Sequence, residues 1–196
     1  MRHIILLLFI GSYNLIVAQT DSLNRPYGIK SGRLTFQFFE GPQKGTKILT
    51  FNNWGEYEKM EIFSEADTAL IIKMKIPAEQ LMPKQSQLML NTPEGCYGIN
   101  MDTKFGFQRA CPDKAMTDLL FQDDKKFVGY DTVLDRKCEV FVIEKFIKLW
   151  FWNKLCIKKE LLNTDGFWSG EYVIQIDENY KPTEYEFEIP PGTKIN

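Results

Sequence analysis

Apolar and polar residues alternate with a period of two over most of this 196-residue chain, the pattern of half-buried β-strands. Residues 31–40 (SGRLTFQFFE) alternate and are rich in Phe, and the turn formers Gly41, Pro42 and Gly45 follow. Residues 46–54 (TKILTFNNW) and 56–63 (EYEKMEIF), split by Gly55, continue as hairpin-connected antiparallel strands. Residues 67–77 (DTALIIKMKIP) set Leu70, Ile72, Met74 and Ile76 on one face and Lys73 and Lys75 on the other, which predicts a further strand. Short strands are expected at 83–91, 96–102 and 105–110.

One stretch departs from this period. In 112–124 (PDKAMTDLLFQDD), Ala115, Met116, Leu119 and Leu120 fall at helical spacing behind Pro112, a residue suited to a first helical turn. A short amphipathic helix is predicted there, with a further helical turn at 78–82 (AEQLM) before Pro83. The last third returns to strands at 129–137, 138–144, 146–153 and 155–162. The turn 163–166 (NTDG) leads into 168–179 and a final strand in 184–195 (EYEFEIPPGTKI). In 146–153 (FIKLWFWN) both faces carry bulk: Ile147, Leu149 and Phe151 on one, Trp150 and Trp152 on the other. Such a strand either packs on elements at both faces or turns one face into a cavity. The expected fold is mainly β with some helix (α+β), a curved antiparallel sheet of about nine to eleven strands with one or two short helices as lid or plug.

The N-terminus changes the compartment. Residues 1–20 (MRHIILLLFIGSYNLIVAQT) carry a basic start at Arg2, an apolar run over 4–10 and a small residue, Ala18, before Gln19. This is the layout of a secretory signal peptide. The expected organisation is a cleaved leader over 1–18, an N-terminal extension over 19–30 and a single domain over 31–196. No remaining segment is apolar enough over roughly 20 residues to span a membrane after cleavage. The chain is therefore expected to be exported, to a bacterial periplasm or beyond; no N-x-Ser/Thr sequon is present. Loss of Arg2 with the leader lowers the formal charge from −2 to −3, so nucleic acid is not an expected partner.

The sole histidine, His3, lies in the leader. A mature chain without imidazole cannot assemble a Ser-His-Asp or Cys-His catalytic set. GFWSG around Ser169 has the wrong spacing for a nucleophile elbow, and no phosphate-cradling glycine motif is present. Glu184, Glu186 and Glu188 lie on one side of one predicted strand and read as a solvated face, not as two carboxylates across a cleft. Asp177, Glu178 and Asn179 read as a turn with too few ligands for calcium. No catalytic residue, metal site or cofactor is expected. Four cysteines, Cys96, Cys111, Cys138 and Cys156, survive cleavage, and an even count in an exported chain points to disulfides. Proximity along the chain favours Cys96–Cys111 and Cys138–Cys156.

What remains is an aromatic load of 15 Phe, 8 Tyr and 4 Trp. Much of it must be core. An exported β domain with many aromatics and no catalytic set also fits a binder of apolar molecules. The segments PYGIKSGRLTFQF, GTKILTFNNWGEYEKMEI, GYDTVLDRKCEVFVI, KLWFWNKLCIKKELL and the terminal FEIPPGTKI together resemble bacterial exported proteins of the LolA/LolB-like superfamily. The resemblance implies an incomplete β-barrel that holds a lipid or acyl chain in an apolar concavity. By position, Phe36, Phe38, Phe141, Ile143, Trp150 and Trp152 are the candidates to line it. The alternative is an envelope structural or interaction module with a filled core, whose partner is another envelope protein docked at a sheet edge.

Overall fold

The computed structural model describes residues 25–75, 77, 83–111, 126–162 and 168–196. The expected leader, residues 19–24 of the extension, the helix of 112–124, the helical turn of 78–82 and the turn of 163–166 lie outside them. Among the described residues, twelve strands form one sheet. They are β1 (Gly32–Glu40), β2 (Gln43–Asn52), β3 (Tyr57–Ala66), β4 (Gln85–Thr92), β5 (Gly95–Asn100), β6 (Phe105–Arg109), β7 (Lys126–Val133), β8 (Arg136–Ile143), β9 (Ile147–Trp152), β10 (Leu155–Leu162), β11 (Trp168–Asp177) and β12 (Lys194–Ile195). The order is β12-β6-β5-β4-β3-β2-β1-β11-β10-β9-β8-β7. Neighbours pair antiparallel except β12, which runs parallel to β6. The sheet is open and curved, as the alternation predicts. Among the described residues no helix is long and apolar enough to cross a membrane.

The stretch 67–77, expected as a strand, is instead a helix, α1 (Thr68–Met74). The Asp67 carboxylate accepts from the backbone N–H groups of Ala69 and Leu70 at 3.1 and 3.2 Å, capping donors that a strand would leave to a neighbour. Lys75 ends the helix in the left-handed conformation. Over seven residues, alternation alone cannot exclude a helical stripe, and the N-cap decides. The final strand is also shorter than expected. Glu184–Phe187 is a 3-10 turn closed by a capping box between Thr183 and Glu186, and only Lys194–Ile195 pairs. Glu186 does not stand on a solvated face: it bonds Arg33 at 2.7 Å and accepts from Tyr180.

Two consecutive residues ahead of β1 span the curl of the sheet and report its direction. Tyr27 N donates to Trp54 O at 3.0 Å and Gly28 N to Asn153 O at 2.8 Å. Trp54 follows β2, and Asn153 lies in the β9–β10 turn. In a flat sheet β2 and β9, four places apart, would stand about 19 Å from each other. Two carbonyls held by neighbouring amides lie within about 10 Å. The sheet therefore bends toward the face on which Tyr27 packs, and that face is concave. Tyr27 is fully buried there among Leu34, Phe36, Leu49, Phe51 and Trp150, edge-on to the Phe51 ring with centroids 4.7 Å apart.

Both faces of β9 are buried, in separate clusters. Trp150 joins the Tyr27 cluster, while Leu149 and Phe151 pack with Ile143 and Cys156. This separation corrects the expected Cys138–Cys156 pairing. Cys138 packs with Trp150 and Cys156 with Phe151, neighbours in β9 that point to opposite faces. The strands that carry them, β8 and β10, flank β9 and lie about 9–10 Å apart, beyond the reach of a disulfide. Each thiol instead donates to a backbone carbonyl, Cys138 to Arg136 and Cys156 to Lys158. Cys96 and Cys111 do form a disulfide, with Cα atoms 5.1 Å apart.

Candidate functional site

The concave face carries one continuous cross-strand row. Phe51, Glu58, Asn91, Cys96 and Arg109 face one another in register over β2, β3, β4, β5 and β6. Phe51 belongs to the buried cluster, so the polar members of the row extend the same face. Glu58 is only 1 % exposed. Its carboxylate accepts from the Tyr27 hydroxyl and from Asn91 Nδ2, the latter at 2.8 Å. The Asn91 side-chain oxygen in turn accepts from Arg109 Nη2. A buried carboxylate is tolerable only when bonded and balanced, and this chain supplies two donors and, through Asn91, a counter-charge. Burial pushes the Arg109 guanidinium below its ordinary range, and the Glu58 charge pushes it back.

Beyond this row toward the far end of β4–β6, the same face opens into a hollow of about 420 Å³. By register Gln87, Met89, Gly98, Asn100, Phe105, Phe107 and Arg109 share its side of the sheet, and all seven line it. Phe105 and Phe107 stand 48 % and 58 % exposed, an unusual state for two aromatics on one short strand. Gly98 sets the floor: a Cβ there would fall 2.8 Å from the Phe107 ring, so only glycine lets that ring lie across β5.

A second hollow, of about 280 Å³, is lined by Phe38, Phe39, Lys47, Ile147, Lys159, Leu161 and Glu171 among others. Glu171 bridges the two lysines, bonding Lys47 and standing 3.7 Å from Lys159. Burial alone would raise its pKa, but the two cations outweigh burial and hold the carboxyl below its usual range. Among the described residues no cluster of three or more metal-ligating side chains occurs.

The six candidates from the sequence are dispersed. Phe36, Trp150 and Trp152 pack in the Tyr27 cluster, Phe141 and Ile143 in the second cluster, and Phe38 lines the smaller hollow. Trp150 is 1 % exposed and donates Nε1 to Asp131 at 2.9 Å. None of the six borders the larger hollow, whose residues sequence reasoning passed over. A signal for them exists. Glu58 is in phase with Met60 and Ile62, Asn91 with Met89, and Arg109 with Phe105 and Phe107, so three polar residues occupy inward positions of otherwise alternating strands.

No protein-family model matches the chain, and no curated protein sequence is similar to it. Among solved structures it is similar to an uncharacterized conserved protein from Thermus thermophilus, with a TM-score of 0.57, 10% identity, and coverage of 94% of this chain and 98% of that one. It is also similar to MucB, with a TM-score of 0.49, 11% identity, and coverage of 88% of this chain and 62% of MucB. At 10% identity the Thermus likeness establishes a shared fold over nearly the whole of both chains.

Proposed function

We propose that this protein is an exported, non-enzymatic binder of an acyl-chain lipid, held on the concave face of the open sheet. The observation that carries the reading is the hollow over β4–β6. Its volume of about 420 Å³ lies in the roughly 300–1,000 Å³ range of small-molecule sites. Its lining is apolar, from Met89, Phe105 and Phe107, with a few polar groups at its margin. Exposed aromatics in a concavity bury against a ligand what they leave in water without one. The sequence resemblance to LolA/LolB-like carriers and the leader-like N-terminus support the same reading. So does the Cys96–Cys111 disulfide, a bond that persists in oxidising compartments. With His3 as the sole imidazole, binding is favoured over catalysis.

The test is native mass spectrometry of exported protein, followed by organic extraction and lipid analysis. A stoichiometric lipid, or uptake of a fluorescent fatty acid by the apo protein, is expected. Phe107→Asp, on an exposed ring, is expected to weaken that uptake by about tenfold or more without loss of fold. A clean apo mass with no uptake would discard lipid binding and favour the reading as an envelope interaction module.

A further inference from the structure

The antiparallel ladder brings one end of each strand from β1 to β11 to a common rim of the sheet. The start of β6, the end of β3, the β1–β2 turn, the β8–β9 turn and the start of β7 follow one another along it in register. The helix α1 joins this rim, because Asp67 N donates to Pro42 O in the β1–β2 turn at 2.8 Å. Exposed apolar side chains gather here. Phe63, Phe105, Phe127, Val128 and Phe146 are between 41 % and 51 % exposed, and Ile72 of α1 is 72 % exposed. Among the described turns of the opposite rim, Leu134 is the one large apolar side chain so exposed. A concentration of this kind marks an interaction surface, while single exposed residues need no explanation. Its shape restricts the partner. Phe105 and Phe127 lie on the second and the last strand of the sheet, ten spacings or about 48 Å apart along the curve. A peptide or small molecule in one groove touches part of such an arc, whereas a lipid surface meets all of it at once. Charge restricts the partner further. Lys73, Lys75, Lys104, Lys126 and Lys145 stand beside these side chains, against Glu40, Glu65 and Glu144. Two other acids of the rim, Asp67 and Asp102, are engaged by backbone N–H groups.

We propose that this rim docks on the surface of an anionic lipid bilayer. Its apolar side chains enter the headgroup boundary, and its lysines lay their stems along that layer and set their ammonium groups among the lipid phosphates. Phe105 belongs both to the rim and to the lining of the larger hollow, so an acyl chain leaving the bilayer at β6 enters the hollow directly. This loading route rests on the lipid-binding reading; the docking rests on the rim alone.

The experiment sediments the full disulfide-bonded protein with vesicles of phosphatidylcholine alone and with vesicles of equal parts phosphatidylcholine and phosphatidylglycerol. Binding to the anionic vesicles is expected to be about tenfold or more tighter, and that preference is expected to vanish at about 1 M salt, where screening sets in within about 3 Å. Ile72→Asp with Phe146→Asp removes two apolar contacts of the rim, and neither side chain belongs to a buried cluster or to the larger hollow. The double variant is expected to bind anionic vesicles about tenfold or more weakly, while taking up a fluorescent fatty acid as wild type does. No vesicle binding by wild type, or binding of the double variant at wild-type strength, would overturn the docking. Equal binding to both vesicles would overturn the anionic surface as its partner. Self-association that the double variant abolishes, without vesicle binding, would overturn the bilayer in favour of a second copy of the chain. Anionic vesicle binding without fatty-acid uptake would support the docking and discard the lipid-binding reading with its loading route.

Discussion

Glu58 occupies a position where an uncompensated carboxylate would cost several kcal/mol, and its hydrogen-bond partners explain why it is tolerated. The Tyr27 hydroxyl reaches it from a segment outside the sheet, so one side chain both plugs the concave face and bonds its charge. Tyr27→Phe keeps the packing on Phe51 and deletes only the donor. The expected loss is about 1.5–3 kcal/mol, the worth of a hydrogen bond to a charged group, read as a lower urea midpoint at unchanged slope. An unchanged midpoint would show that the bond contributes nothing. Glu171 illustrates the electrostatic counterpart. Its folded pKa lies below its unfolded value, so its contribution to stability is present above the ordinary carboxylate range. That contribution is lost as pH falls through the lowered value. Glu171→Gln is expected to be less stable than wild type at pH 7, with the gap closing below about pH 4. A gap of the same size at both pH values would assign the loss to packing. At this scale the sequence was partly legible. The phase of Glu58 against Met60 and Ile62 marks an inward charge, but its partners Tyr27 and Asn91, 31 and 33 residues away, are set by the fold.

Strand elements were legible where alternation ran long and ended in turn residues, as in β1 to β3 and β8 to β11. Residues 67–77 misled because the alternation there is short and shared with a helical stripe, while the decisive signal was one capping carboxylate at Asp67. The hairpin turns carry a different lesson. The two-residue turns Leu134–Asp135 and Asn153–Lys154 hold all four residues at positive φ, between 47° and 63°. That twist suits the flanking strands, yet it is the conformation that side chains resist, and Asn-Gly is its usual sequence. Asp135→Gly, at φ 60°, is expected to stabilise the protein by about 1 kcal/mol. The melting temperature is expected to rise by about 2–4 °C for a chain of this size. A fall in melting temperature would mean that the Asp135 side chain does something in the β7–β8 turn beyond filling it.

At the scale of the molecule, the alternation predicts a large antiparallel sheet but not the direction of its curl. Tyr27 and Gly28 lie in a stretch that reads as a plain extension, yet their amides tie Trp54 to Asn153 across the curl while the Tyr27 side chain fills the concave face. The same global geometry decides the cysteines. Chain proximity serves Cys96 and Cys111, whose loop of 15 residues closes across the β5 and β6 edge. It fails for Cys138 and Cys156, because an intervening strand and opposite faces hold them apart. Two consequences are measurable. Reduction of Cys96–Cys111 releases a loop of that length and is expected to cost about 3 kcal/mol, seen as a lower urea midpoint in the presence of a reductant. Thiol labelling of the protein unfolded without reductant is expected to give two adducts, on Cys138 and Cys156. In the folded protein both thiols are expected to label far more slowly. Each is buried, and burial pushes the Cys138 thiol further from the reactive thiolate. No adducts would restore the second disulfide and require β8 and β10 to approach, while four would remove the first and leave the end of β6 unfastened beside Arg109.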